Sequence, residues 1–80
     1  MLNITPLFIR AICVYKNISA SELYRLLRIN EHYTITYFYK MIDGSKPVTS
    51  NLQYILNTKI NEFLSTEELI KVMKLQEHLK

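Results

Sequence analysis

The sequence predicts an all-α domain. Only one glycine and two prolines occur among 80 residues, far fewer than the turns of a fold with many short strands require. Hydrophobic residues make up 49% of the chain and charged residues 21%, which is typical of a globular domain. Helix-capping residues precede most of the apolar-periodic segments. We therefore predict a single compact domain of five helices over residues 1–80, with its core in residues 4–64 and an amphipathic C-terminal helix in residues 65–80.

The first two helices are predicted by their N-terminal residues. Thr5 followed by Pro6 predicts a helix over about residues 5–15, because threonine caps helices and proline suits a first turn. Ser19 and Glu22 have the spacing of a capping box, which predicts a short second helix over about residues 20–27. The second helix has three leucines at helical spacing, which predicts one buried face: Leu23, Leu26 and Leu27.

The next segment combines a turn with a third helix. Residues 28–33 have no helical stripe and predict a turn in which Ile29 fills the core. Thr34 is the candidate N-cap of a helix that extends to about residue 42. Strand propensity there is high, but no other segment offers a pairing strand. A helix gives three apolar side chains a common face, namely Phe38, Met41 and Ile42. Gly44 then follows where a helix end favours positive φ.

The last two helices are predicted by apolar residues that recur every three or four positions. Thr49 or Ser50 would cap the fourth helix, for which we predict a break near residues 57–58. Ser65 or Thr66 would cap the last helix. That helix carries more apolar side chains than a small core can enclose, so we predict a homodimer with its seam there. The predicted seam consists of Leu69, Val72, Met73, Leu75 and Leu79.

The sequence lacks the residue patterns that catalytic, metal-binding and phosphate-binding sites require. His32 and His78 lie far apart without a carboxylate pair or a neighbouring cysteine, and a single glycine cannot form a phosphate-binding loop. Cys13 lies among apolar residues, which favours a buried thiol. We therefore expect no enzyme activity, no metal and no cofactor. No apolar run approaches the roughly 20 residues of a membrane span. With no signal-peptide pattern, we expect a cytoplasmic protein without a membrane partner.

The net charge of +3 is unevenly distributed. Residues 1–48 contain six basic and three acidic side chains, whereas residues 49–80 contain four of each. The positive excess therefore lies in the first half of the chain, which favours an anionic partner there, with nucleic acid the first candidate.

Three motifs indicate a family. They are Ile18-Ser19-x-x-Glu22-Leu23 with Leu27, then Thr34-x-x-x-Phe38-x-x-Met41-x-x-Gly44, then Lys46-Pro47-Val48-Thr49. With them, residues 4–64 resemble the helix-turn-helix domain of the phage repressor and Cro-like family. The resemblance implies a transcription regulator that places residues 34–42 in the major groove of double-stranded DNA, with residues 19–27 as the positioning helix. The implied nucleic-acid-binding residues are Ser19, Ser21, Arg25, Ile35, Thr36, Tyr39, Lys40 and Lys46.

A second hypothesis comes from two departures from this family pattern. The turn is about four residues longer than usual, and Arg28 stands where glycine is common. The recognition segment also lacks the Arg, Gln and Asn side chains that bind bases bidentately, and it is rich in tyrosine, which is favoured in protein–protein contacts. The alternative is therefore a small phage-type antirepressor or inhibitor. It would bind a regulator or nuclease protein through a face containing Tyr37 and Tyr39.

Overall fold

The computed structural model describes residues 2–80, and these form five α-helices and one 3₁₀ turn. The helices are α1 (Pro6–Lys16), α2 (Ala20–Leu26), α3 (Ile35–Ile42), α4 (Ser50–Phe63) and α5 (Thr66–Leu79), and the 3₁₀ turn (Ile29–Glu31) lies between α2 and α3. The predicted all-α fold with five helices is confirmed for this part of the chain. None of these helices is long and apolar enough to cross a membrane.

Every helix begins at a side chain that accepts a hydrogen bond from a backbone N–H of the first turn. The five capping residues are Thr5, Ser19, Thr34, Thr49 and Ser65. Ser19 and Ser65 belong to complete capping boxes, because Glu22 and Glu68 accept the N–H of the capping residue in return. The predicted helix starts are confirmed, since each of these residues had been a candidate cap.

The third segment is a helix despite its strand propensity. Its last turn is closed by a Schellman motif, in which the Gly44 N–H donates to the Met41 carbonyl and the Ser45 N–H donates to the Lys40 carbonyl. Gly44 has the positive φ, 89°, that this motif requires. The Arg10 guanidinium on α1 donates to the Ile42 carbonyl at 2.9 Å. Both ends of α3 are therefore fixed by side chains or backbone outside the helix.

The core is shared by all five helices. α1 packs against α5 and α3, and α2 packs against α3 and the 3₁₀ turn. The largest fully buried side chains are Phe38, Ile4, Ile9, Ile12, Leu23, Leu27, Ile29, Met41, Leu52, Leu56, Ile60 and Val72. Burial of Ile29 confirms that it fills the core from the turn.

The buried face of α2 differs from the predicted one at two positions. Leu26 is 54% exposed, whereas Tyr24 is only 7% exposed. The Tyr24 hydroxyl donates a hydrogen bond to the Tyr33 carbonyl, and its ring lies 5.5 Å from the Phe38 ring between centroids. A tyrosine with both a ring partner and a hydroxyl partner can be buried without an unsatisfied polar atom, so α2 is rotated toward it.

The predicted break in α4 near residues 57–58 is wrong, because Asn57 is part of a contact with the N-terminal segment. The Asn57 amide accepts the Leu2 N–H and donates to the Leu2 carbonyl, both at 2.9 Å. One turn earlier, the Gln53 amide accepts the Ile4 N–H at 2.9 Å and donates to the Ile4 carbonyl at 2.6 Å. Two side-chain amides thus pair with an extended backbone as a neighbouring strand would.

We expect Arg28→Gly to raise the free energy of unfolding by about 0.5–1 kcal/mol. Arg28 lies between the end of α2 and the 3₁₀ turn with φ 55°, a left-handed conformation that is strained for residues with a Cβ atom. Urea denaturation followed by circular dichroism measures the change. Arg25→Gly is the control, because Arg25 lies inside α2 and glycine there should lower stability by a similar amount. An Arg28→Gly protein less stable than the parent would contradict the role of strain.

Candidate nucleic-acid interface

The outer face of α3 carries four of the predicted contact residues. Ile35 and Tyr39 lie one turn apart, as do Thr36 and Lys40, so the four side chains form two adjacent rows. Ile35 is 37% exposed and Tyr39 is 46% exposed, and Thr36 and Lys40 are also exposed. On the inner face, Phe38 and Met41 are buried. The structure therefore brings these four residues together on one accessible surface, which we call the α3 face.

Tyr37 lies beside this face but has a structural role. Its hydroxyl donates to the Pro47 carbonyl at 3.1 Å, and its ring stacks on the Tyr33 ring with centroids 5.0 Å apart. The Tyr33 hydroxyl in turn accepts a hydrogen bond from the Asn51 amide at 3.3 Å. These residues connect α3 to the start of α4. Only Tyr39 of the two predicted partner-binding tyrosines is substantially exposed.

The three basic residues among the predicted contacts form no ion pair with an acidic side chain among residues 2–80. The ion pairs among residues 2–80 are Lys16–Glu68 at 2.7 Å, Lys59–Glu31 at 3.1 Å and Lys80–Glu77 at 3.2 Å. These pairs leave Arg25, Lys40 and Lys46 unpaired, and all three side chains are exposed. They are therefore available to an anionic ligand without breaking a salt bridge.

The three acidic residues in the first half of the chain each have a hydrogen-bond partner. Glu22 completes the capping box of α2. Asp43 accepts the Ser45 N–H at 2.8 Å, and hydrogen bonding from Ser45 lowers the pKa of the Asp43 carboxyl. The Lys59 ammonium hydrogen-bonds to Glu31 and lowers the pKa of that carboxyl. None of these three carboxylates forms an ion pair with Arg25, Lys40 or Lys46 among residues 2–80, although the Lys40 charge also contributes to the lowered pKa of Asp43.

The two predicted serine contacts are less accessible than the cations. The Ser19 hydroxyl accepts the Glu22 N–H at 3.2 Å and lies 3.1 Å from the Ser21 hydroxyl. Ser21 is half-buried, whereas Ser19 is exposed. A phosphate contact by Ser19 would compete with helix capping, so the basic side chains are the stronger candidates.

The predicted dimer seam on α5 needs a correction. Val72 is fully buried in the core of the single chain, so it cannot contact a second copy. Leu69 and Leu75 are half-buried, and Leu69 packs against the core. Met73 and Leu79 are exposed by 46% and 38%, and the neighbouring Ile70 is exposed by 49%. The accessible apolar surface of α5 is therefore smaller than predicted and centred on Ile70 and Met73.

The structure also shows contacts that the sequence does not predict. Arg10 was counted only as a charge, but it binds the end of α3. Tyr33 and Asn51 support α3 through the stacked tyrosines. The Arg10–Ile42 and Asn51–Tyr33 hydrogen bonds join residues 32 and 18 positions apart, so no local sequence signal indicates them. Among residues 2–80, no group of three His, Cys, Asp or Glu side chains could hold a metal ion. Burial raises the pKa of the Cys13 thiol.

Comparisons with protein-family models, with curated proteins and with solved structures found no match to this chain. The α3 face is therefore interpreted from its own chemistry.

Proposed function

We propose that the protein binds double-stranded DNA and regulates transcription, with α2 and α3 acting as a helix-turn-helix of the phage repressor and Cro-like type. The observation that carries the proposal is the exposed α3 face together with three exposed cations that form no ion pair among residues 2–80: Arg25 on α2, Lys40 on α3 and Lys46 just after α3. A single helix fits the major groove, which is about 12 Å wide. Hydrogen bonds to phosphates by unpaired basic side chains would supply most of the affinity.

The roles of the side chains follow from their placement. Lys40 and the hydroxyls of Thr36 and Tyr39 would meet base edges, because they project from the exposed side of α3. Arg25 and Lys46 would bind phosphates and position the helix. The link between the two helices is longer than a usual helix-turn-helix turn, but burial of Ile29 ties it to the core. No catalytic step and no cofactor are part of this proposal.

A homodimer is part of the same proposal. Helix-turn-helix proteins commonly bind two half-sites one turn of DNA apart, which requires two copies related by symmetry. The exposed apolar residues of α5, Met73 and Leu79 together with Ile70, would form the contact between copies.

The second candidate function is that of an antirepressor or inhibitor that binds a regulator or nuclease protein. Exposure of Tyr39 next to Ile35 favours it, because aromatic and aliphatic side chains are typical of the centre of protein–protein contacts. In this case binding would depend on Tyr39 more than on Lys40.

We expect the protein to shift DNA from upstream of its own gene at low salt. With two phosphate-binding cations in each chain, Arg25 and Lys46, the logarithm of the binding constant should fall against the logarithm of salt concentration with a slope of about −2 per chain. Fluorescence anisotropy over a salt series measures this slope. Lys46→Ala should reduce the slope by about one unit, because one phosphate contact is lost.

A different pattern would favour the protein-binding function. No DNA binding at low salt, together with a host protein that is retained after nuclease treatment and at high salt, would contradict the DNA-binding proposal. If nuclease treatment instead released the host protein, the result would support the DNA-binding proposal.

A further inference from the structure

The α3 face is unusual in its chemistry for a surface that reads DNA. It contains two large side chains with extensive apolar surface, the aliphatic Ile35 and the aromatic ring of Tyr39, exposed by 37% and 46%. It contains the methyl and hydroxyl of Thr36 and a single cation, Lys40. It contains no guanidinium and no side-chain amide, the groups that bind guanine and adenine bidentately in the major groove.

The thymine methyl group is the one part of the major groove against which an apolar side chain packs favourably. The edges of adenine, guanine and cytosine present hydrogen-bond donors and acceptors, whereas thymine also presents its C5 methyl group. An apolar side chain pressed against a donor or acceptor would leave that polar group without a partner, which is unfavourable. Against a methyl group, the same side chain removes apolar surface from water.

The position of Ile35 suits this contact. Ile35 and Thr36 are the first two residues of α3, and the N-terminal residues of a recognition helix lie closest to the base edges. Tyr39 is one turn further on, in the same row as Ile35. Thr34 is not available, because its hydroxyl caps the helix by accepting the Tyr37 N–H.

We infer that the α3 face recognises the 5-methyl groups of thymine through Ile35 and Tyr39, so that its ligand is A·T-containing duplex DNA. This inference rests on the proposed DNA binding. Lys40 and the hydroxyl of Thr36 add polar contacts to neighbouring base or phosphate groups. Thymine methyl groups, not bidentate hydrogen bonds, then provide the discrimination between base pairs.

The test compares duplexes that differ only in methyl groups. Two duplexes of alternating A·T pairs, about 20 base pairs long or roughly two helical turns, contain either thymine or uracil. We expect uracil to weaken binding by about fourfold for each methyl group in contact, measured by fluorescence anisotropy at low salt. A duplex of alternating G·C pairs should bind more tightly when its cytosines carry a 5-methyl group, which controls for differences in duplex shape.

Two variants distinguish the contribution of the methyl contact to DNA affinity from the contribution of the Lys40 charge. Ile35→Ser should lower the ratio of thymine to uracil affinity, whereas Lys40→Ala should weaken binding to both duplexes and leave that ratio unchanged. Circular dichroism checks that both variants remain folded. Equal affinity for thymine and uracil duplexes would overturn the inference and leave DNA binding intact. Failure to bind any duplex at low salt would overturn both the inference and the proposed function.

Discussion

Phe38→Ala is expected to lower the free energy of unfolding by about 3–5 kcal/mol, because it removes a large side chain from the centre of the core. Phe38 is 1% exposed and packs against the ring of Tyr24. Native proteins have a total stability of roughly 5–15 kcal/mol, so such a loss in a small domain leaves a protein near the limit of folding. Urea denaturation followed by circular dichroism measures the difference.

Two further variants make this result interpretable. Tyr39→Ala changes the exposed side of the same helix and should alter stability by no more than about 0.5 kcal/mol. Phe38→Leu keeps most of the buried volume and should cost about 1 kcal/mol, which provides a folded protein if Phe38→Ala does not fold. Equal losses from Phe38→Ala and Tyr39→Ala would contradict the orientation of α3.

Lys40→Glu is expected to weaken DNA binding by at least about a hundredfold, because it replaces an exposed cation on the α3 face with an anion facing DNA. The loss should exceed that of Lys40→Ala, since repulsion is added to the lost contact. Electrophoretic mobility shift at low salt is the simplest measurement. The shift seen with the parent protein should disappear at the same protein concentration.

Lys71→Glu is the matched control for this change. Lys71 is exposed on α5 and forms no ion pair among the described residues, so both variants change the net charge equally. Lys71→Glu should therefore reproduce only the general effect of a less positive protein, which is small at moderate salt. If both variants lost binding to the same degree, the contact would not be at the α3 face.

Helix positions were predictable because their signals are local. Thr5, Ser19 and Thr34 each lie within three residues of the backbone N–H that they cap, so the sequence alone contains the whole interaction. The helical state of residues 35–42 was harder to predict from the sequence, because the β-branched and aromatic residues in this segment favour a strand. Burial of Phe38 and Met41 on one side decides in favour of the helix.

Contacts between distant residues were not predictable. The exchange of Leu26 for Tyr24 on the buried face of α2 depends on Tyr33 and Phe38, which belong to later segments. The amide of Asn57 was interpreted as a helix breaker, because its partner Leu2 is 55 residues away. For the candidate site, the pattern of exposed residues on α3 followed from helical spacing, whereas the tethering of Tyr37 to Pro47 did not.

The pairing of the N-terminal backbone with Gln53 and Asn57 gives the order in which parts of the molecule acquire their structure. Residues 2–4 have no site to dock on until α4 is helical, because only a helix places two amides one turn apart. Docking also joins residues 55 and 49 positions apart, so it carries a larger entropic cost of loop closure than the contacts within a helix. We therefore expect the N-terminal segment to order after α4 during folding. Once docked, the segment is held by four hydrogen bonds and by burial of Ile4, so we expect it to fray less than a chain terminus usually does.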